Sequence, residues 1–314
     1  MGKASRTKVD VSRREKIAAQ RAAARKAEQR RRILIAAGAV LVVVVIVVVF
    51  VVVKLGKSTP TTASGASNGP TGSALTAVVD KVTTVPASVL NAVGDGGSQV
   101  SGKPIAIPGS ALTANGKPEM LFVGAEYCPY CGAERWGMIV ALSRFGTFTG
   151  LATVHSSSTD VYPNTPSFTF IHAKYTSKYL TFVPVETCSN IPNGGTTCDG
   201  YTTLQTPTSA QAALVTKYDS PTYVPGMSAA EAGAIPFIDF GGKYIISGAS
   251  YNAQLLQGLS WSQVATDLSN PSSSVAKAAD GTANYITAAI CSMTNNLPAT
   301  ACTATVKSLE GKNL

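Results

Sequence analysis

The longest unbroken apolar stretch of the chain runs from Ile33 to Val53, mostly Val and Ile, with no charge inside it. Its length matches the ~20 residues a helix needs to cross a bilayer. It exceeds the ~7–15-residue core of a cleavable signal peptide, so it reads as a retained anchor. Residues 54–74 follow, rich in Ser, Thr, Gly, Ala and Pro and without periodicity, the pattern of a flexible tether.

From residue 75 to 314 the pattern becomes that of a folded domain. Apolar positions at helical spacing (Val78, Val79, Val82, Val89, Leu90, Val93) predict helix over 75–93, interrupted by Pro86. Residues 94–115 read as a turn-rich loop. Residues 119–124 form a short apolar strand candidate, and 131–142 a helix candidate with Trp136, Ile139, Val140 and Leu142 on one side. Residues 151–155, 167–172 and 177–186 read as strands. Residues 190–208, rich in Gly, Pro and Thr, read as an insertion. A short helix is expected over 210–217, a hairpin over 235–240 and 243–247 turning at Gly241-Gly242, one helix over 252–268 and a last helix over 275–294. Strands alternating with helices predict an α/β layered fold.

Charge orients this arrangement. Twelve lysines and arginines and three acids precede the apolar run, so residues 1–32 carry +9, the formal charge of the entire chain, and the rest is neutral. Positive charge beside a span stays cytoplasmic, which puts the N-terminus inside and the domain outside the cytoplasm at the cell membrane, in single-pass topology. No aromatic residue is interleaved with these charges, so the tail offers no base-stacking platform, and no nucleic-acid partner is expected. It reads as a topology signal lying on headgroups.

All six cysteines, 128, 131, 188, 198, 291 and 302, follow the apolar run. Outside the cytoplasm thiols are not held reduced, so an even number points to disulfides. Cys188–Cys198 and Cys291–Cys302 bracket short turn-rich segments and read as structural disulfides, each contributing roughly 2–3 kcal/mol by loop closure.

The remaining pair is different in kind. Cys128-Pro129-Tyr130-Cys131 opens a predicted helix, where unpaired amides and the positive dipole end stabilise a thiolate. That end supplies at most about 2 kcal/mol, against about 1.4 kcal/mol per pKa unit, enough to bring a thiol from near 8.5 to around 7. Cys128 is then the nucleophile and Cys131 the resolving thiol. A zinc site would want two more ligands at close spacing, which the other cysteines do not supply, so no metal site is assigned. A soft metal such as copper remains compatible with the pair. His155 and His172 fall in strand-like segments and read as structural residues. No Gly-rich phosphate loop follows a strand, and no cofactor is expected.

The segment Leu121-Phe-Val-Gly-Ala-Glu-Tyr-Cys-Pro-Tyr-Cys131 resembles the strand, turn and helix start of thioredoxins, and Pro129-Tyr130 is the dipeptide typical of glutaredoxins. Gly233 to Ala249, with Pro236 before Phe-Ile-Asp-Phe-Gly-Gly, resembles the thioredoxin segment whose proline is cis and packs on the redox pair. The resemblance covers about 119–268. It implies a cis Ile235–Pro236 bond, a substrate chain held by the backbone of Ile235, and a thioredoxin-like fold with a central mixed sheet; the residue pattern adds a long insertion, a C-terminal helical extension and, from the apolar run, one preceding transmembrane helix. Two features depart from that family. Phe122 stands where thioredoxins bury an aspartate, which leaves Glu126, Glu134 or water to move protons, and the middle of the active-site helix lacks the thioredoxins' proline. The whole chain, Ala141-Leu-Ser-Arg-Phe-Gly-Thr-Phe148 included, also resembles an uncharacterised family of membrane proteins, the domain of unknown function 929 group, which supplies no activity.

The expected function is therefore a membrane-anchored, extracytoplasmic thiol–disulfide oxidoreductase. Its partners would be exported protein thiols or disulfides and a membrane redox partner of unknown identity. The expected site comprises Cys128, Cys131, Pro236, Glu126 and Glu134, with Tyr127, Pro129, Tyr130 and Ile235 contacting substrate. Two other readings stay open: a non-enzymatic binding module, and a copper chaperone.

Overall fold

The computed structural model describes residues 69–310. The expected basic tail (1–32), the expected span (33–53) and residues 54–68 of the expected tether lie outside the described residues. Among those described, no helix is long and apolar enough to cross a membrane.

Two helices open the domain, α1 (Gly72–Thr83) and α2 (Ala87–Val93). They share one stretch of helical periodicity that Pro86 divides. Lacking an N–H, Pro86 stops the first helix and caps the second with extended backbone. Residues 94–115 hold only the two-residue strands β1 (Ile105–Ala106) and β2 (Thr113–Ala114) and one 3-10 turn. Then come β3 (Lys117–Gly124) and α3 (Pro129–Leu142), close to expectation.

The middle of the chain is more broken than its pattern indicated. It forms β4 (Gly146–Thr149), β5 (Ala152–His155), β6 (Pro166–Thr169), β7 (Lys174–Ser177) and β8 (Thr181–Glu186). The strand expected over 167–172 stops at Thr169, because His172 adopts φ 107° and turns the chain into β7. The strand expected over 177–186 begins only at Thr181, since Ser177 is the last residue of β7. Ser177 Oγ accepts from the amide of Tyr179 at 3.0 Å, a side-chain-closed turn that ends β7 before β8 begins. The insertion folds as a hairpin of β9 (Cys188–Pro192) and β10 (Tyr201–Thr203).

Helix α4 (Ser209–Tyr218) precedes the hairpin β11 (Phe237–Phe240) and β12 (Tyr244–Ser247). Both turn glycines, Gly241 and Gly242, have positive φ, and the buried Asp239 carboxylate accepts from the Gly242 amide at 2.6 Å. The one helix expected over 252–268 is a 3-10 turn at Ala253–Leu256 followed by α5 (Trp261–Asp267). Gly258 at φ 76° breaks it, and Ser260 with Gln263 forms a capping box that restarts it. Helix α6 (Ser274–Met293) follows, then α7 (Ala304–Glu310), which the pattern did not indicate.

The central sheet is mixed. β3 lies between β11, antiparallel, and β8, parallel from Glu119↔Thr181 to Gly124↔Glu186. β12 and then β1 extend the sheet beyond β11, and β2 pairs with the start of β3. Alternation along the strands gives each face its own core. Met120, Phe122, Ile238, Phe240 and Ile246 face the large core that includes α3 and α6. Leu121, Val123, Val185, Phe237 and Ile245 face a smaller one, closed by Tyr218 with Leu214 and Val215 of α4. The result is an α/β/α sandwich with the C-terminal end of β3 pointing at the start of α3.

Helix α6 is buried nearly all round, and its small residues let α3 approach closely. A Cβ on Gly137 of α3 would meet Thr282 Cγ2 at 2.9 Å and Ala279 O at 3.0 Å.

Candidate active site

Cys128 is the N-cap of α3. Its backbone is extended (φ −76°, ψ 121°), and its sulfur accepts from the Cys131 amide at 3.3 Å. Pro129 occupies the first helical position, where a missing N–H costs nothing. The motif thus builds its own helix start, with the first sulfur over the free amides. The Cys128 thiol also reaches the carbonyl of Ile235 at 3.8 Å, and the Ile235–Pro236 bond is cis.

Both thiols are free and buried, Cys128 at 5% and Cys131 at 0% exposure. They are unlike electrostatically. The Cys131 thiol donates to the Cys128 sulfur and, with the Cys131 and Tyr130 amides and the Arg135 charge, holds Cys128 below the ordinary thiol range despite its burial. Cys131 is held well above that range by burial and by the Cys128 sulfur, with Arg135 and the Ala125 amide opposing. Of the two, the thiol nearer the surface is the more acidic and the deeper one holds its proton more tightly, the polarity that exchange chemistry needs.

Two walls flank the pair. Tyr127 stacks on Tyr201 (centroids 4.4 Å apart, planes 4° apart), and its hydroxyl donates to Asp199 at 2.5 Å. Burial first, and Asp199 second, push its phenol up. Asp199 and Tyr201 belong to the β9–β10 insertion, which the Cys188–Cys198 disulfide closes. The backbone of that insertion joins the motif directly, since Glu126 N donates to Cys188 O at 2.8 Å. On the other side Tyr130, 38% exposed, meets Tyr162 edge-on at 5.8 Å. Trp136 is no part of these walls. It is fully buried, donates to Pro166 O at 2.8 Å and packs on Phe168.

The two glutamates singled out for proton transfer lie elsewhere in the hydrogen-bond network. Glu134 is fully enclosed and accepts from both the amide (2.8 Å) and the hydroxyl (2.9 Å) of Ser250, which ties α3 to the loop after β12. Burial raises it to about 7, against those two bonds. The Glu126 carboxyl is half-buried and held by Thr169 and the Asn190 amide; burial outweighs these bonds and raises it.

The position that thioredoxins give to an aspartate is filled by Phe122, and the Arg135 guanidinium lies over its ring at 5.4 Å. Arg135 is fully buried. It donates from Nε to Glu186 Oε1 at 2.9 Å, from Nη2 to Glu186 Oε2, and from Nη2 to Ala125 O at 3.0 Å. Sequence reading passed over both members of this ion pair. A charged residue on a helix and a glutamate ending a strand carry no local mark of burial, and 51 positions separate them. The weak available signal was spacing, since Arg135 falls one helical turn after Cys131 on the same face.

Cys291–Cys302 is far from this chemistry. Its neighbour Ala301 accepts from Arg144, just beyond the C-terminus of α3, whereas Cys128 caps the N-terminus, about 21 Å away along a 14-residue helix. No group of three or more His, Cys, Asp or Glu that could hold a metal occurs among the described residues.

No curated protein and no solved structure matches the chain. A family model does match, over residues 103–292, which includes the cysteine motif, the insertion, the cis-proline hairpin and most of α6. The chain therefore belongs to the family described as a domain of unknown function (DUF929).

Proposed function

We propose that this protein is a thioredoxin-like thiol–disulfide oxidoreductase, held outside the cytoplasm by an N-terminal span and acting on disulfides or thiols of exported proteins. The observation that carries the reading is the unequal pair at the head of α3. Cys128 caps the helix with its sulfur on the Cys131 amide and beside the carbonyl before a cis proline, while Cys131 stays enclosed and protonated. Two closed disulfides in the same domain agree with an oxidising compartment. The charge and hydropathy of residues 1–53 support the anchor.

In the reductive direction the Cys128 thiolate attacks one sulfur of a substrate disulfide. A Cys128–substrate bond forms as the substrate bond breaks, and the other substrate sulfur leaves with the electron pair, taking up a proton. Cys131, losing its own proton, then attacks the Cys128 sulfur. The internal disulfide forms and the second substrate sulfur leaves, so two electrons pass from the dithiol to the substrate. The reverse sequence oxidises a substrate dithiol. Tyr127 and Tyr130 shape the approach, and the Ile235 carbonyl faces the attacking sulfur.

The test is the reduction potential of Cys128–Cys131 in the full-length protein, equilibrated against glutathione and read by thiol trapping. A value between about −120 and −270 mV supports exchange catalysis and gives its direction; one below about −300 mV, or an unreactive pair, leaves a binding module with a structural disulfide.

A further inference from the structure

Arg135 is the one buried lysine or arginine among the described residues, and its arrangement is incomplete. Nε and Nη2 are committed to Glu186 and the Ala125 carbonyl, but Nη1, equally buried, has no hydrogen-bond partner. A buried donor without an acceptor costs stability, and a buried ion pair is often no better than apolar residues of the same volume. Glu186 also accepts from the Phe170 amide at 3.2 Å, and Phe122 lies beneath the guanidinium. Arg135 follows Cys131 by four residues on α3, so the two share a face. Both also engage Ala125, whose amide faces the Cys131 sulfur and whose carbonyl takes Arg135 Nη2.

We propose that Arg135 is a positioning residue for the resolving step: its guanidinium stabilises the Cys131 thiolate that attacks the mixed disulfide on Cys128. This rests on the exchange reading above and adds when Cys131 becomes reactive. In the dithiol, burial and the Cys128 sulfur both keep Cys131 protonated. When Cys128 becomes half of a mixed disulfide, its sulfur no longer carries charge and its opposition ends. Burial is then countered by the Arg135 charge and the Ala125 amide. The Cys131 thiolate attacks, the Cys128–Cys131 bond forms, the bond from Cys128 to substrate breaks, and the substrate sulfur leaves as thiolate. Arg135 thereby takes over, by charge, the assistance that a buried aspartate in place of Phe122 would give by proton transfer.

The test uses the full-length protein with two changes of opposite sign. Arg135→Met/Glu186→Met replaces the pair by apolar residues of similar length, and Glu186→Gln leaves the guanidinium unneutralised. The Cys131 pKa is read from thiolate absorbance against pH in a Cys128→Ser background. Resolution is read as glutathione release from a Cys128–glutathione disulfide with Cys131 intact. The double variant should raise the Cys131 pKa by at least one unit. Each unit removes about tenfold of the thiolate at neutral pH and returns roughly threefold in nucleophilicity, so resolution should slow about threefold per unit. Glu186→Gln should lower the pKa and speed resolution. An unchanged pKa, or a shift of the same sign in both variants, overturns the proposal. If the double variant does not fold, the sign of the Glu186→Gln shift decides alone. A wild-type protein that forms no mixed disulfide at all defeats the exchange reading, and the thiolate titration separates that failure from a failure of Arg135.

Discussion

Asp280 lies in the middle of α6, the helix against which α3 packs, and both of its carboxyl oxygens are buried without a hydrogen-bond partner. Burial pushes its pKa from 3.8 up to about 8. Because the folded value is the higher one, the unfolded chain releases the proton first. Stability is therefore undiminished below about pH 4, falls as pH rises through the interval, and levels off above about pH 8. The slope is about 1.4 kcal/mol per pH unit, so at neutral pH, about three units above the unfolded value, the carboxyl costs up to about 4 kcal/mol. Local relaxation and water entry make that an upper figure. Asp280→Asn has the shape of the protonated acid and cannot ionise. Urea unfolding of the two proteins should agree within about 1 kcal/mol near pH 4.5 and favour the variant by about 2–4 kcal/mol near pH 7.5, at unchanged m value. Glu134 and Asp239, raised by burial to about 7 and about 6, tilt both profiles alike and drop out of the difference. A pH-independent difference, or a less stable variant near pH 7.5, would refute the reasoning.

Two further outcomes follow from the packing. Gly137→Ala, worth about +1 kcal/mol in an exposed helix, should instead destabilise by about 1–3 kcal/mol, because its methyl would press on Thr282 and Ala279 of α6; a raised melting temperature would show that the two helices separate freely. Replacing either disulfide by paired serines should cost about 2–3 kcal/mol from loops of 10 and 11 residues. Exchange rate should change only for Cys188→Ser/Cys198→Ser, since Asp199 and Tyr201 just beyond Cys198 hold Tyr127, and a rate change with Cys291→Ser/Cys302→Ser would contradict the separation of that pair from Cys128.

Much of the site was legible locally. A cysteine followed by proline at a helix start is an N-cap by its own chemistry. Pro86 had to divide α1 from α2, and Gly241-Gly242 had to turn β11 into β12, because each acts through backbone torsions that no distant contact alters. The same is true of the capping box at Ser260, which was present in the residues and outweighed by apolar spacing across Gly258. The division of β7 from β8 at Ser177 is likewise local, but a serine hydroxyl marks a turn only when the strands around it hold their places.

Other features were decided by tertiary structure alone. Arg135 and Asp280 look like ordinary helix-surface charges in the sequence, and both are fully enclosed because α3 and α6 are covered on every side. Glu186 reaches Arg135 only because β8 runs parallel to β3 and ends level with it. Tyr127 meets Asp199 and Tyr201 because a disulfide folds the insertion back over the motif. The residues thus determined a cysteine pair at a helix start and an α/β layering, since capping and periodicity are properties of neighbours along the chain. Which charges would stand beside that pair depended on strand order and helix packing, since burial and electrostatic environment are properties of neighbours in space.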